Sequence, residues 1–136
     1  MFTAETQIRV RYGETDQMGV VYYGNYASYY EVARVECMRA LGLSYSELEE
    51  QGFMLPVLEN HSKYLGPAKY DELLTIKVSI RENPKVRITF YCDIFNEKNE
   101  LINKGKTILV FVDKDTRKPC KIPPQMEELL SNYFDE

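Results

Sequence analysis

Apolar and polar positions alternate along residues 6–12, TQIRVRY, with Ile8, Val10 and Tyr12 on one side and Gln7, Arg9 and Arg11 on the other. A period of two predicts a strand with one buried face. From Tyr26 the period lengthens. Tyr26, Tyr30, Ala33, Cys37 and Leu41 follow the three-to-four spacing of a helix face, and Tyr29 and Val32 widen that stripe. Asn25 is placed to cap this helix and Gly42 to end it. SYSE at 44–47 fits a capping box, which predicts a short second helix as far as Gln51, stopped by Gly52.

The remainder reads as strands. Residues 54–65 are extended and broken by Pro56. In 73–81, Leu74, Ile76, Val78 and Ile80 alternate with Thr75, Lys77, Ser79 and Arg81. Residues 86–95 do the same through Val86, Ile88, Phe90, Cys92 and Ile94. NEKN at 96–99 predicts a hairpin turn, 101–112 a last strand and DKDTRKP another turn. Pro124 fits the first position of a short terminal helix, PQMEELL. The order is strand, long helix, short helix, then four strands that can pair as an antiparallel meander. This is an α+β arrangement in which one sheet face must bury the long helix, since nothing else is large enough to cover it. The 136 residues suit one domain, 1–136, without repeats or low-complexity segments.

Charge and cysteine usage narrow the classes of function. The net charge is −4 and the basic residues are scattered, apart from Lys114, Arg117, Lys118 and Lys121, so nucleic acid is not an expected partner. Three cysteines, at 37, 92 and 120, are an odd number without a C-x-x-C pair. They predict free thiols in a reducing cytoplasm, with neither a disulfide framework nor a zinc site. His61 is the only histidine, so a His-based metal centre is not expected. MFTAETQIRV has neither the basic nor the apolar region of a signal peptide, and no apolar run approaches the roughly 18 residues needed to span a membrane.

The stretch RYGETDQMGVVYYGNY, residues 11–26, carries the candidate chemistry. Asp16 lies in the loop that delivers the chain from strand to helix. A helix start presents unpaired N–H groups and about half a positive charge. Aimed at a carbonyl oxygen, those groups stabilise negative charge developing there. A carboxylate on the other side of the same carbonyl can attack it or activate a water. An Asp between Thr and a nearby glycine is also an ordinary turn residue, so the pattern alone leaves both readings open.

Y-x-x-T-D-x-x-G-V-V-Y-x-x-N-Y, followed by YYEVARVECMRALG, resembles the hot-dog thioesterases: the 4-hydroxybenzoyl-CoA thioesterase family and its Tol-Pal-associated acyl-CoA thioesterase branch. YLGPAKYDELLTI at 64–76 and VFVDKDTRKPCKIP at 110–123 extend the likeness over nearly the whole chain. The resemblance implies a five-stranded antiparallel sheet wrapped around one long helix, homodimers joined sheet edge to sheet edge and often paired again as homotetramers, and a site between subunits. It implies acyl-CoA as substrate, with coenzyme A entering as part of that substrate and no separate cofactor or metal. Asp16 falls at the catalytic acid, as nucleophile or general base. The Tyr23 N–H falls at the donor that polarises the thioester carbonyl, beside Gly24, where backbone can come close to substrate. The Tol-Pal-associated branch has His where this chain has Tyr23 and the 4-hydroxybenzoyl branch has Tyr; a backbone donor survives either way.

Around this pair, Tyr12 is a candidate to hydrogen-bond Asp16 or line the pocket, Tyr22 is a candidate pocket wall, and Glu59 is a candidate helper carboxylate facing the cleft. The basic group at 114–121, or Asn83, Lys85 and Arg87, are candidates for the coenzyme A phosphates. Three alternatives stand beside hydrolysis of acyl-CoA. A hot-dog dehydratase generally relies on a catalytic His, which this loop lacks. A thioesterase for acyl carrier protein needs a basic docking patch, which the scattered charge does not show. A non-catalytic acyl-binding module has no need of Asp16.

Overall fold

The computed structural model describes residues 1–134; the last two residues of the expected domain lie outside them. Strands are β1 (Phe2–Arg9), β2 (Phe53–Met54), β3 (Val57–Tyr64), β4 (Leu73–Ile80), β5 (Arg87–Phe95), β6 (Leu101–Val110) and β7 (Val112–Asp113). Helices are α1 (Tyr26–Leu41), α2 (Tyr45–Glu50) and α3 (Pro124–Leu130). Five strands form one antiparallel sheet in the order β1-β4-β5-β6-β3, and β2 pairs with β7 apart from it.

The meander holds for β4, β5 and β6, but β3 leaves it. Instead of pairing with β4 it lies at the far edge beside β6, with Asn60 opposite Thr107 and Ser62 opposite Gly105. The place beside β4 goes to β1, with Ile8 opposite Leu74. The connection explains the difference. Residues 65–72 are too many for a tight hairpin, and they are tied to both sides of the sheet. The Leu65 N–H donates to the Ile102 carbonyl and the Val10 N–H to the Glu72 carbonyl, each at 2.9 Å.

The first strand also differs from expectation. It begins at Phe2 and stops at Arg9, and although Val10 is buried, Tyr12 is 79% exposed. The Thr15 N–H and hydroxyl both donate to the Tyr12 carbonyl, at 3.2 and 2.8 Å, and residues 12–14 wind into a 3-10 turn.

α1 buries Tyr26, Tyr29, Tyr30, Ala33, Cys37 and Leu41, the stripe its spacing predicts. Arg34 and Met38 join them, whereas Val32 is exposed and does not widen the stripe. Full burial of each large apolar side chain contributes about 1.5–3 kcal/mol, so this stripe holds the helix to the sheet. Gly42 ends the helix at φ 109°, its N–H donating to the Met38 carbonyl at 3.0 Å. Ser44 and Glu47 form the expected capping box, and Pro124 opens α3. Asn25 does not cap α1 as expected. A 3-10 turn at Tyr23–Asn25 already leads into the helix, and the Asn25 side chain donates to the Glu14 carbonyl at 2.8 Å.

The three cysteines are free. Burial pushes the Cys37 and Cys92 thiols up to about 12, so both pack as neutral groups at neutral pH. Tyr30 of α1 packs directly on β6, its ring lying on Gly105 while its hydroxyl donates to Asn103 Oδ1 and bonds Ser62 Oγ. A Cβ at Gly105 would overlap the ring. Gly105→Ala is expected to lower stability by about 1–3 kcal/mol, an overpacking cost, read as a lower urea midpoint. An unchanged midpoint would show that α1 can lift from β6 freely.

Candidate active site

The loop from Arg11 to Asn25 is stitched to itself and to α1. The Tyr22 N–H donates to the Glu14 carbonyl at 2.9 Å, the Val21 N–H to the Ala68 carbonyl at 2.8 Å, and Thr15 bridges Val21. The Glu14 side chain is the internal anchor. Its carboxylate accepts from the Arg11 N–H at 2.9 Å, from the Arg11 guanidinium at 3.1 Å and from the Tyr29 hydroxyl at 2.9 Å. Burial pushes the Glu14 carboxyl up, but the hydrogen bonds from Arg11 and Tyr29 together outweigh it and hold the group below the ordinary carboxylate range. Burial, with the bond to Glu14, pushes the Tyr29 phenol far above its own ordinary range, so it is the donor.

Asp16 sits at the turn of this loop, half-buried. Its Oδ1 accepts from the Met18 N–H at 2.8 Å, and its carbonyl accepts from the Gly19 N–H at 3.0 Å. Gly19 has φ 76°, a conformation that suits glycine. Among the described residues Asp16 Oδ2 has no hydrogen-bond partner. An open hollow of about 780 Å³ lies against the carboxylate, lined by Tyr12, Gly13, Thr15, Gln17, Gly19 and Tyr70. Tyr12 lines it, edge to face with Tyr70 at 5.8 Å, and makes no bond to Asp16.

The start of α1 is the other half. Among the described residues no backbone carbonyl accepts from the Tyr23 or Gly24 N–H. Tyr22 packs on Tyr23 at 4.7 Å, and Tyr64 packs on Tyr23 at 6.3 Å and on Tyr26 at 5.5 Å. Gly24 leaves room for the Tyr22 ring, which a Cβ would meet at 2.7 Å. The Asp16 hollow takes none of its lining from these residues. The acid and the helix start are held by one loop, but the hollow beside the acid is not walled by the helix start.

Glu59 stands apart. Ser62 bonds the helix residue Tyr30, so Ser62 and Asn60 face α1, and Glu59, His61 and Lys63 point from the opposite sheet face. There Glu59 accepts from His61 Nε2 at 2.9 Å, on the sheet face away from α1. Of the two candidate phosphate groups, the backbone brings one residue of each close together. The Ile122 N–H donates to the Lys85 carbonyl at 2.6 Å, which sets Lys121 beside Lys85. Both lie at the end of the sheet where Arg87 pairs with Val110, opposite the end where β1 leaves toward Asp16. Sequence reasoning missed Glu14, Tyr64 and Tyr70. Only the R-x-x-E spacing of Arg11 and Glu14 offered a signal, and it is a common one. Among the described residues no three His, Cys, Asp or Glu side chains gather as a metal site requires, and no helix is long and apolar enough to cross a membrane.

A five-stranded antiparallel sheet around one long helix, with an acid in the loop before that helix, defines a hot-dog thioesterase domain. The chain belongs to the thioesterase-like superfamily, whose sequence profile matches residues 10–130. It is 33% identical over 116 residues to the acyl-CoA thioester hydrolase YbgC of Escherichia coli O6:H1, covering 85% of this chain and 87% of that protein. It is 33% identical over 131 residues to the acyl-acyl carrier protein thioesterase ATL3 of Arabidopsis thaliana, covering 96% of this chain and 68% of that one. The crystal structure of a DHNA-CoA thioesterase from Staphylococcus aureus superposes with a TM-score of 0.92 at 38% identity, covering 98% of this chain and 91% of that one.

A carboxyl held below its ordinary value of 4.5 adds stability above that pH, and the contribution is lost as pH falls through the folded value. Glu14→Gln is therefore expected to be less stable than wild type at pH 7, with the difference in denaturation midpoint closing as both are taken below pH 4.5. A difference that stays constant with pH would show that the Glu14 charge is not what anchors the loop.

Proposed function

We propose that this protein hydrolyses an acyl-CoA thioester to the free acid and coenzyme A, in the cytoplasm, with Asp16 as nucleophile or general base. The observation that carries this reading is the division of labour at Asp16. One oxygen holds the turn through the Met18 N–H, and the other is unengaged beside an open hollow. In the general-base form, Asp16 takes a proton from water as the water oxygen bonds the thioester carbon. The Tyr23 N–H and the positive end of α1 stabilise the oxyanion. The C–S bond then breaks, and the departing thiolate takes the proton from Asp16. In the nucleophilic form Asp16 itself bonds the carbon, the C–S bond breaks to expel the coenzyme A thiolate, and water then cleaves the mixed anhydride to the free acid and the Asp16 carboxylate, its released proton going to the thiolate.

The hollow beside Asp16 takes no wall from the helix start, and this supports a site completed by a second copy, in a homodimer or a homotetramer. Antiparallel association along β3 would bring the basic end of one copy, with Lys85 and Lys121, toward the Asp16 end of the other, a fitting place for the phosphates of coenzyme A. Tyr12 and Tyr70 then flank the entrance, and Tyr22, Tyr23, Gly24 and Tyr64 form a wall suited to a flat acyl group. The E. coli relative is named for acyl-CoA and the S. aureus one for DHNA-CoA. The Arabidopsis relative is named for acyl-acyl carrier protein and supports that thioester class as the second reading.

Asn at position 16 retains an oxygen for the Met18 N–H, so Asp16→Asn should keep the loop. It is expected to lower kcat by about 10² or more with little change in KM, the scale of losing a positioned acid–base group. Thiol release from acyl-CoA substrates, from acetyl to long-chain and aromatic, measures this. A variant at the wild-type rate would remove Asp16 from the mechanism. Tight binding by the wild type without thiol release would favour the acyl-binding module.

A further inference from the structure

We propose that the groove between α1 and β3 holds the far end of the acyl group, and that Arg34 there selects acyl chains that end in a carboxylate. The inference rests on the thioester hydrolysis proposed above and names the acyl class.

One side of the helix leads from the proposed carbonyl donor into this groove. Gly24, Ser28, Glu31 and Arg34 recur at the three-to-four spacing of a single helix side. Gly24 stands beside the Tyr23 N–H. The groove holds about 270 Å³, with Ser28, Glu31, Arg34, Asn60 and Thr107 among its walls. A thioester carbonyl held at Tyr23 can therefore send its acyl chain along this side. Arg34 follows Gly24 by ten residues, about 15 Å of helix rise, and a helical side chain of its kind leans back toward the helix start. That reach suits an acyl chain of several carbons.

At the end of that path the protein leaves donors without acceptors. Arg34 is only 7% exposed, yet its Nε has no acceptor, and among the described residues no carboxylate lies within ion-pair distance of it. The Tyr45 hydroxyl is buried and unpartnered as well. The two are neighbours: burial pushes the Tyr45 phenol up, and the Arg34 charge beside it works against that rise. Cys92, also within reach of the guanidinium, is a neutral thiol and cannot balance it. The Asn60 side-chain oxygen is already engaged, accepting from the Thr107 hydroxyl at 2.7 Å.

The missing group is an anion. A buried cation without a partner is costly, because its desolvation is not repaid. A neutral oxygen would accept from the guanidinium but leave its charge unbalanced. A carboxylate does both, through short charge-assisted bonds. An alkyl chain of the same length would instead lay its methyl end on the guanidinium and remove what water still reaches it, so the groove selects against that chain as well as for the other. Glu31 lines the groove from its exposed side and makes no ion pair with Arg34. Its charge opposes an entering carboxylate, so Glu31 limits the affinity that Arg34 provides.

The test uses the full chain and thioethers of coenzyme A, which cannot be hydrolysed. One series is ω-carboxyalkyl, from carboxypropyl to carboxyheptyl, and the other is alkyl of matching length. Calorimetry is expected to show the wild type binding the best carboxylate-ended member about tenfold or more tighter than its alkyl match, the scale of a hydrogen bond to a charged group. Arg34→Met is expected to abolish that preference. Replacing buried charge by an apolar side chain of similar volume is commonly neutral for folding. Glu31→Gln, on the exposed side, leaves Arg34 in place and is expected to widen the preference about twofold to fivefold. Equal binding of the two series by the wild type, a preference that survives in Arg34→Met, or one that Glu31→Gln narrows would each overturn the assignment. Thiol release from the matching acyl-CoA thioesters is measured separately. Release without the carboxylate preference sinks this assignment alone, and the preference without release sinks the thioesterase reading alone.

Discussion

The Tyr29 hydroxyl reaches out of the helix–sheet core to Glu14, and the rest of the site is arranged around that bond. Tyr29 is fixed by the packing of α1, with its ring buried and its phenol held neutral. Glu14 is fixed in turn, and its carbonyl receives both the Tyr22 N–H and the Asn25 side chain. A loop that carries chemistry thus inherits the rigidity of the core through one half-buried carboxylate. This is how a connecting segment, usually the mobile part of a domain, can hold an acid at a fixed place relative to a helix end.

Element by element, the sequence exposed what depends on local pattern and hid what depends on long connections. The α1 stripe, the Ser44 capping box, the Gly42 stop and Pro124 at the head of α3 are all set within a few residues, and each is found where its pattern puts it. The position of β3 is not local. Its alternation is the same beside β4 or beside β6, and only the tie between Leu65 and Ile102 decides. Tyr12 failed for a related reason. Its phase matched the strand, but the Thr15 bonds to its carbonyl ended the strand first. Of the candidate site, the Asp16 turn and the helix start lie within the stretch that the motif marks, whereas Tyr64 and Tyr70 come beside them only through the fold.

The basic residues illustrate the same distinction. Along the chain they look scattered, yet the sheet sorts them. Lys77, Lys104 and Lys63 fall in one cross-strand row with Glu5 and Asp93, while Lys85 and Lys121 meet at the far end. Charge read along a sequence reports total balance; charge read across a sheet reports which neighbour each side chain lacks.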